Sequence, residues 1–290
     1  MCIRDSPLAP FIDGQDSIGN VAGTNVGTVS NDRFTQVELC PDEHGVEYNF
    51  GEIRPASIGG YVSVDIPGAD KLSPDDPNFQ PISGVTIQLL DDAGNLVEET
   101  QTDANGHYEF EGLVPGTYSI VEVQPDGFID GGDVIGNVDG DNVGTVGNDR
   151  FDNIVVGSGD AGMNYNFCEH EPASLKGTVY FDRNDNGVQD AGEEGIENVV
   201  IELFDRDGNL VASTTTDAQG NYCFDDLVAG EYKIREIQPE NFVDGKESLG
   251  SVNTPGASAS DNGHVGDDEF CDIVLVGGDE GTEYLSLIHI

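Results

Sequence analysis

The chain has 290 residues, of which 56 are acidic and 11 basic, giving a formal net charge of −45 at pH 7. This field repels nucleic-acid phosphates and anionic membrane surfaces and concentrates divalent cations, so we expect cations and not nucleic acid as partners. Hydrophobic residues make up 37% of the sequence, enough for compact cores. No apolar run approaches the roughly 18 residues of a membrane helix, so no membrane insertion is expected in this fragment.

An internal repeat organises the chain. The segment Phe11–Gly14 recurs 117 residues later, and Thr102-Asp103 recurs 114 residues later. The repeat predicts the C-terminal part of a first module at 7–53, a complete second module at 54–170, and a third module at 171–284 whose last strand is truncated. The Pro-Ala-Ser steps at 55–57 and 172–174 are interpreted as short linkers between modules.

Both ends of the chain depart from the repeat. The first and second modules end on Tyr-Asn-Phe, whereas Leu-Ser-Leu-Ile-His-Ile follows Tyr284. Residues 1–6 stand where a strand like 118–123 is expected and resemble nothing in the other modules. We interpret 1–6 and 285–290 as non-native tails, and the alternative is natural variation at both ends.

Each module is predicted to be built of β-strands. Apolar and polar residues alternate through Gly84–Leu90, and again from Val199 to Leu203, with the period of two that a half-buried strand requires. Turn residues at Asp91–Gly94 and Asp205–Gly208 predict hairpins after these strands. With no helical spacing and a repeat near the size of a sandwich domain, the fold class is all-β, as tandem β-sandwich modules. The glycine-rich stretch Asp130–Asn148 is expected to be a loop.

One twelve-residue segment of the third module matches the calcium loop D-x-[DN]-x-[DN]-G-x5-E at every defined position. The predicted Ca²⁺ ligands are side-chain oxygens of Asp182, Asn184 and Asn186, the carbonyl of Val188, an oxygen of Asp190 either directly or through water, and a bidentate carboxylate of Glu193. Strands rather than helices flank the loop, which favours a static calcium clip over a helix-opening sensor. The alternative is a solvated acidic turn.

The corresponding segment of the second module breaks this pattern, because Pro67 and Ala69 stand where ligands are required. We do not predict the loop site there, although an irregular site from Asp70, Asp75 and Asp76 stays open beside a plain acidic loop.

Glycine-aspartate runs give a second, weaker calcium candidate, since such runs can fold around calcium. Its residues are Asp130, Asp133, Asp139, Asp141 and Asp149 in the second module, Asp244, Asp267 and Asp268 in the third, and Asp13, Asp16 and Asp32 in the first. The irregular spacing leaves a metal site and a plain loop equally open.

Catalysis finds little support in the sequence. The five histidines are scattered singly, with no zinc-protease pair and no serine elbow, so we predict that the chain is not an enzyme. The five cysteines lack zinc-type spacing. Cys223 and Cys271 share a module, where a disulfide and two unpaired thiols both stay open.

Several segments of the third module closely resemble the B domains of serine-aspartate repeat surface proteins, a group related to the B modules of collagen adhesins. They are Gly177–Gly187, Gly192-Glu193, Thr216–Phe224 and Glu236–Pro239, and the second module repeats much of the pattern. The resemblance implies an immunoglobulin-like (prealbumin-like) sandwich, calcium-dependent rigidity, and a stalk between a ligand-binding head and the cell wall.

The leading functional hypothesis is therefore a non-catalytic, calcium-stabilised spacer of a secreted or cell-surface bacterial protein, with neighbouring modules and calcium as partners. One alternative is an adhesive module that itself binds a matrix protein, a glycan or another host ligand. The other is an accessory domain of a large secreted enzyme. An adhesive face usually shows an exposed apolar patch, which a spacer does not need.

Overall fold

The computed structural model describes residues 3–4, 11–65, 74–184, 186–240, 243–253, 261–266 and 268–289. These residues form strands, turns and loops. None of them belongs to a helix with the length and apolarity that crossing a membrane requires. Two compact units divide the chain: Met1–Ser63, Ser73–Gln124 and Gly132–Cys168 make the first, and Val64–Leu72, Pro125–Gly131 and Glu169–Ile290 make the second.

Thirty strands follow one another along the described residues. In the first module they are β1 (Ile3–Arg4), β2 (Ile12–Asp13), β3 (Asn20–Val21), β4 (Thr24–Asn25), β5 (Thr28–Ser30), β6 (Arg33–Thr35), β7 (Gly45–Val46) and β8 (Glu52–Ile53). In the second they are β9 (Ala56–Val64), β10 (Thr86–Asp91), β11 (Leu96–Gln101), β12 (His107–Leu113), β13 (Gly116–Glu122), β14 (Ile129–Asp130), β15 (Asn137–Val138), β16 (Asp141–Asn142), β17 (Thr145–Gly147), β18 (Arg150–Val156), β19 (Ala161–Met163) and β20 (Phe167–His170). In the third they are β21 (Ala173–Phe181), β22 (Val200–Asp205), β23 (Leu210–Thr215), β24 (Asn221–Leu227), β25 (Gly230–Ile237), β26 (Val243–Asp244), β27 (Ser251–Val252), β28 (His264–Val265), β29 (Glu269–Leu275) and β30 (Glu280–His289).

The second module is a two-sheet sandwich. One sheet has the order β11-β10-β13-β18-β17, and the other has the order β14-β20-β9-β19-β15-β16, with β12 also paired to β9. The first and last parts of the module meet in parallel, with Ala161 opposite Ser57. The side chains that fill the core are fully buried: Ile58, Ile87, Leu89, Phe110, Ile120, Phe151, Ile154, Tyr165 and Phe167.

The third module repeats this architecture. One sheet has the order β23-β22-β25-β29-β28, and the other runs β24-β21-β30-β26 with β27 on β30. Its parallel closure puts Ser174 opposite Glu280, the register of Ser57 and Ala161 in the second module. Apolar side chains form its core cluster, among which Leu175, Val179, Leu203 and Ile273 are completely buried.

The described part of the first module keeps the same elements in reduced form. Its strands pair as β1-β6-β5, β4-β3-β7 and β2-β8. Phe34 is fully buried. Its ring packs on Tyr48 at a centroid distance of 5.4 Å and on Phe50 at 4.7 Å.

The predicted fold class is confirmed: the described chain is all-β, in tandem sandwiches. The alternation of apolar and polar residues predicted the strands correctly because one face of each strand is buried. Ile87 and Leu89, for example, are both 0% exposed. The linker interpretation was wrong, since the Ala-Ser pairs of both Pro-Ala-Ser steps begin β9 and β21, and Ala56 and Ala173 are each only 2% exposed.

The stretch Asp130–Asn148 is less irregular than predicted. It contains β15 and β16, which form a tight hairpin. Asp139 and Gly140 occupy its turn with φ of 52° and 90°, the left-handed backbone that a two-residue hairpin of this type needs. Asp139 and Gly140 therefore form a hairpin turn in a stretch whose glycine content had predicted a loop.

The last strand of the third module carries a polar residue at a core position. Tyr165 and Tyr284 occupy equivalent places, because each carbonyl accepts a hydrogen bond from a buried tyrosine hydroxyl, Tyr108 or Tyr222. Two residues beyond Tyr165 the second module places Phe167, whose ring packs 4.7 Å from that of Phe151. The third module has Ser286 there, which is 3% exposed, and its hydroxyl has no hydrogen-bond partner among the described groups. Residues 285–289 thus complete β30, whatever their origin.

Replacing Ser286 by Phe is expected to stabilise the third module by about 1–2 kcal/mol, because it removes a buried hydroxyl without a partner and adds apolar area to the core. Urea unfolding of the full chain, with hydrogen exchange to assign the change to the third module, measures this. The matched change Phe167→Ser should cost about 3 kcal/mol or more in the second module. Loss of stability in Ser286→Phe would mean that neighbouring side chains already fill the space.

Candidate functional site

The predicted calcium loop, residues 182–193, connects two strands of the third module. It begins directly after β21 ends at Phe181, and the backbone closes behind it at two points. Tyr180 and Gly195 form an isolated β-bridge, and the amide of Phe181 donates to the carbonyl of Glu194 at 3.0 Å. The loop is therefore held at its base by the sheet, independently of any ion.

Asp182 organises the first half of the loop. It is 0% exposed, and its carboxylate accepts hydrogen bonds from the amide of Asn184 at 3.0 Å and from the amide of Gly187 at 2.9 Å. Gly187 has a φ of 79°, so glycine is needed for the reversal that aims its amide back at Asp182. Gly187 therefore forms a sharp turn within the loop.

Asp190 and Glu193 organise the second half. One oxygen of Asp190 accepts from the side-chain amides of both Asn184 and Asn186, each at 2.8 Å. The two oxygens of Glu193 accept from the amides of Arg183 and Asp190, each at 2.9 Å.

Asn186 in turn accepts from the amide of Val188, so all six predicted residues belong to one connected loop. The nitrogen atoms of Asn184 and Asn186 face Asp190, which leaves amide oxygens as the groups suited to a hard cation.

The carboxylates of Asp182, Asp190 and Glu193 do not converge on one point. Asp182, Asp190 and Glu193 do not bring three carboxylate oxygens within 4.8 Å of one another, and each side chain is held by N–H donors instead. The donor set is oxygen-only, which suits calcium.

A buried tyrosine hydroxyl lies close to the carboxylates of the loop. Tyr180 is 0% exposed, and its hydroxyl has no hydrogen-bond partner among the described groups. Burial raises the pKa of Tyr180, and the negative charges of Asp182, Glu193 and Asp190 raise it further, so these carboxylates lie near the ring. The hydroxyl is therefore a neutral donor beneath the loop. The sequence analysis missed it, because Tyr180 reads there as one more strand residue.

The broken loop of the second module is described only from residue 74 onward. Pro67, Ala69 and Asp70 lie outside the described residues. The carboxylate of Asp76 accepts a hydrogen bond from the amide of Asn78 at 2.8 Å, and the carbonyl of Asp76 accepts one from the amide of Phe79 at 3.0 Å. This part of the segment therefore forms a tight turn.

The glycine-aspartate candidate is divided between hairpin turns. Asp139 and Asp141 lie at the exposed β15–β16 hairpin, in one sheet, whereas Asp149 lies in the turn between β17 and β18, in the other. Asp267 lies outside the described residues, as does the side chain of Asp244. The structure instead places a glutamate beside the second turn in each complete module.

Backbone hydrogen bonds fix these glutamates beside their turns. The amide of Glu122 donates to the carbonyl of Asp149, and that of Glu236 to the carbonyl of Asp268, each at 2.9 Å. Glu122 is 4% exposed and Glu236 5%. The strand period accounts for this burial, since Glu122 follows Tyr118 and Ile120 on the inward face of β13.

The cysteines form no described disulfide. Cys223 lies in β24 and Cys271 in β29, strands of different sheets, and both are free thiols. Burial raises the pKa of the Cys223 thiol to about 12 and also raises that of Cys271, so neither is a reactive thiolate at neutral pH.

Curated relatives of the chain are large staphylococcal proteins. The chain is 32% identical over 247 residues to serine-aspartate repeat-containing protein F of Staphylococcus epidermidis, which covers 83% of this chain and 14% of the relative. It is 30% identical over 266 residues to serine-aspartate repeat-containing protein D of Staphylococcus aureus strain Newman, covering 90% of this chain and 19% of the relative. The chain thus spans less than a fifth of the length of either relative.

Two solved structures resemble the chain at low sequence identity. The Bacillus anthracis TIE protein aligns over 95% of this chain and 48% of its own, with 15% identity and a TM-score of 0.35. GBS52, the minor pilin of Streptococcus agalactiae, aligns over 81% of this chain and 94% of its own, with 14% identity and a TM-score of 0.30.

The family profile described as the SdrD B-like domain matches twice, at residues 56–167 and 173–270. Together the two matches span more than half of the chain and fall on the two complete sandwiches. The chain therefore belongs to the SdrD B-like domain family, with two consecutive copies of that domain.

Proposed function

We propose that the chain is a non-catalytic spacer of a secreted or cell-surface bacterial protein, in which calcium bound by residues 182–193 stiffens the third module. The observation that carries the proposal is the loop itself, in which every predicted ligand residue joins one hydrogen-bonded turn fixed to the sheet at both ends. Similarity to serine-aspartate repeat-containing proteins, together with the two consecutive SdrD B-like domains of this chain, supports the spacer role.

The residues of the loop would act on the ion in distinct ways. Asp182, held rigidly by two amides, provides a fixed oxygen next to the sheet, whereas Glu193 enters from the other end of the loop. Calcium supplies two positive charges that offset the repulsion among the three carboxylates. Binding would therefore couple the end of β21 to the segment that leads into β22.

The effect on stability follows from mass action. Extracellular calcium modules often bind with Kd of about 10⁻⁴ to 10⁻³ M. Calcium at 100 times Kd then adds roughly 2.7 kcal/mol to the free energy of unfolding. For a module in a chain with a formal charge of −45, this increment also offsets self-repulsion of the surface.

Calcium titration by calorimetry, combined with thermal melting in calcium and in EDTA, tests the site on the full chain. The wild type is expected to bind calcium and to melt at a higher temperature when loaded, and Glu193→Gln should lose most of this response because one carboxylate oxygen is replaced by an amide nitrogen. Glu194→Gln is the matched control, since Glu194 only pairs with Arg183 on the surface at 3.2 Å. A calcium response of equal size in Glu193→Gln would refute ligation by this loop.

The buried hydroxyl of Tyr180 gives a second, metal-free prediction. Tyr180→Phe should raise the free energy of unfolding in EDTA by about 1 kcal/mol, because it removes a buried donor that lacks an acceptor. Tyr222→Phe is the control with the opposite sign, since it deletes the 3.0 Å hydrogen bond to the carbonyl of Tyr284 and should cost about 1 kcal/mol. Equal destabilisation of both variants in urea unfolding would show that the Tyr180 hydroxyl is satisfied in solution.

A further inference from the structure

The second module keeps the backbone turn found at the C-terminal end of the predicted calcium loop but carries different side chains there. The amide of Phe79 donates to the carbonyl of Asp76 at 3.0 Å, as the amide of Glu193 does to that of Asp190, also at 3.0 Å. Three residues after each of these turns the chain returns to the first strand of its module. The amide of Ile82 donates to the carbonyl of Val62 in the second module, and the amide of Ile196 donates to that of Val179 in the third. Phe79 therefore occupies the position of Glu193, while the preceding aspartate is retained.

An aromatic cluster surrounds Phe79. Its ring packs edge-on against Tyr61, with centroids 5.9 Å apart and an interplanar angle of 89°, and Tyr61 packs against His107 at 5.0 Å. The same two strand positions in the third module hold Thr178 and Asn221, which bond to each other through their side chains at 3.1 Å. The cluster thus belongs to the second module alone among the two complete ones.

The cluster lines an open pocket of about 510 Å³, which we call the aromatic pocket; its walls are Tyr61, Pro74, Asp76, Phe79, Pro81, Asp103, Asn105 and His107. The three aromatic rings are only half-buried, so ring surface faces solvent on a strongly acidic chain. No described residue of the wall is a lysine or an arginine.

The rim of the aromatic pocket is negative. Hydrogen bonds from the amides of His107 and Asn105 lower the pKa of Asp103, so this carboxylate is ionised at neutral pH. Asp76 adds a second, half-buried carboxylate. A cation placed over the rings would gain both the attraction of the ring faces and the attraction of the two carboxylates.

We propose that the aromatic pocket of the second module binds a cationic side chain, the ammonium of lysine or the guanidinium of arginine, presented by a basic partner polypeptide. The rings suit such an organic cation, which is larger and less tightly hydrated than a metal ion and tolerates contact with π-faces. This site goes beyond a spacer role, because it gives one module a recognition surface that the other lacks.

The test is an NMR titration of the full chain in EDTA and 150 mM salt, so that its result is independent of calcium binding. The probes are the capped tripeptides acetyl-Gly-Arg-Gly-amide and acetyl-Gly-Lys-Gly-amide, with the neutral citrulline peptide as ligand control. Saturable shifts confined to Tyr61, Phe79 and His107 are expected with the cationic peptides and not with citrulline.

Two variants make the assignment specific. The double change Tyr61→Thr with His107→Asn copies the pair found in the third module, so it should fold, which a thermal melt checks, and it should weaken binding about fivefold or more. Asp76→Asn should weaken it about threefold, whereas Asp207→Asn, which removes an equal charge from a turn of the third module, should leave it unchanged.

Three outcomes would overturn the proposal. Shifts spread over carboxylates of both modules would identify diffuse electrostatic attraction. Equal affinity for the citrulline peptide, or for a neutral sugar, would identify a different ligand class. Absence of any saturable shift in the wild type would remove the site altogether.

Discussion

Each complete sandwich is closed by parallel pairing between its first strand and a strand near its end, β9 with β19 in the second module and β21 with β30 in the third, and much of the remaining structure depends on that constraint. Ser57 faces Ala161 in the second module and Ser174 faces Glu280 in the third. Parallel neighbours cannot be joined by a hairpin, so the whole module lies between them in sequence. The first strand, β9 or β21, is therefore flanked on both sides, and the segment that leaves it must cross to the other sheet over a long connection. That connection is the predicted calcium loop in the third module and the segment that contains Phe79 in the second.

The two modules hold this connection by different physical means. In the third, the carboxylates of Asp182, Asp190 and Glu193 share one short segment, and backbone and side-chain N–H groups hold them. In the second, one carboxylate is replaced by the ring of Phe79, which packs on Tyr61. Apolar packing acts at any calcium concentration, whereas a cluster of like charges gains most when a cation is present. Stability of the same connection is thus expected to depend on calcium in one module only.

The sequence predicted best the features that depend on residues close to one another along the chain. Strand period located Ile87 and Leu89 in the core, and spacing alone identified Asp182, Gly187 and Glu193 as parts of one turn. It failed where long-range pairing decides. Glu122 and Glu236 are buried beside turns about thirty residues away in sequence, and the Pro-Ala-Ser steps looked like linkers because alanine and serine give no strand signal until a neighbouring strand covers them. Calcium ligation itself stays a prediction, since carboxylates in one turn serve a solvated loop as well as an ion.

Under the two proposals, one position of the repeat accommodates a cation in both modules through different chemistry. A calcium ion needs several hard oxygens to replace its water shell, so substitution of Glu193 alone should abolish the site. A guanidinium or ammonium group is attached to a chain and keeps part of its hydration, so an aromatic face and one or two carboxylates suffice. Replacing the last acid of the loop by an aromatic, while Asp76 stays where Asp190 stands, changes the preferred cation without disturbing the turn that joins them. Divergence of function between repeats then needs few substitutions, because the sheet has already fixed where the cation sits.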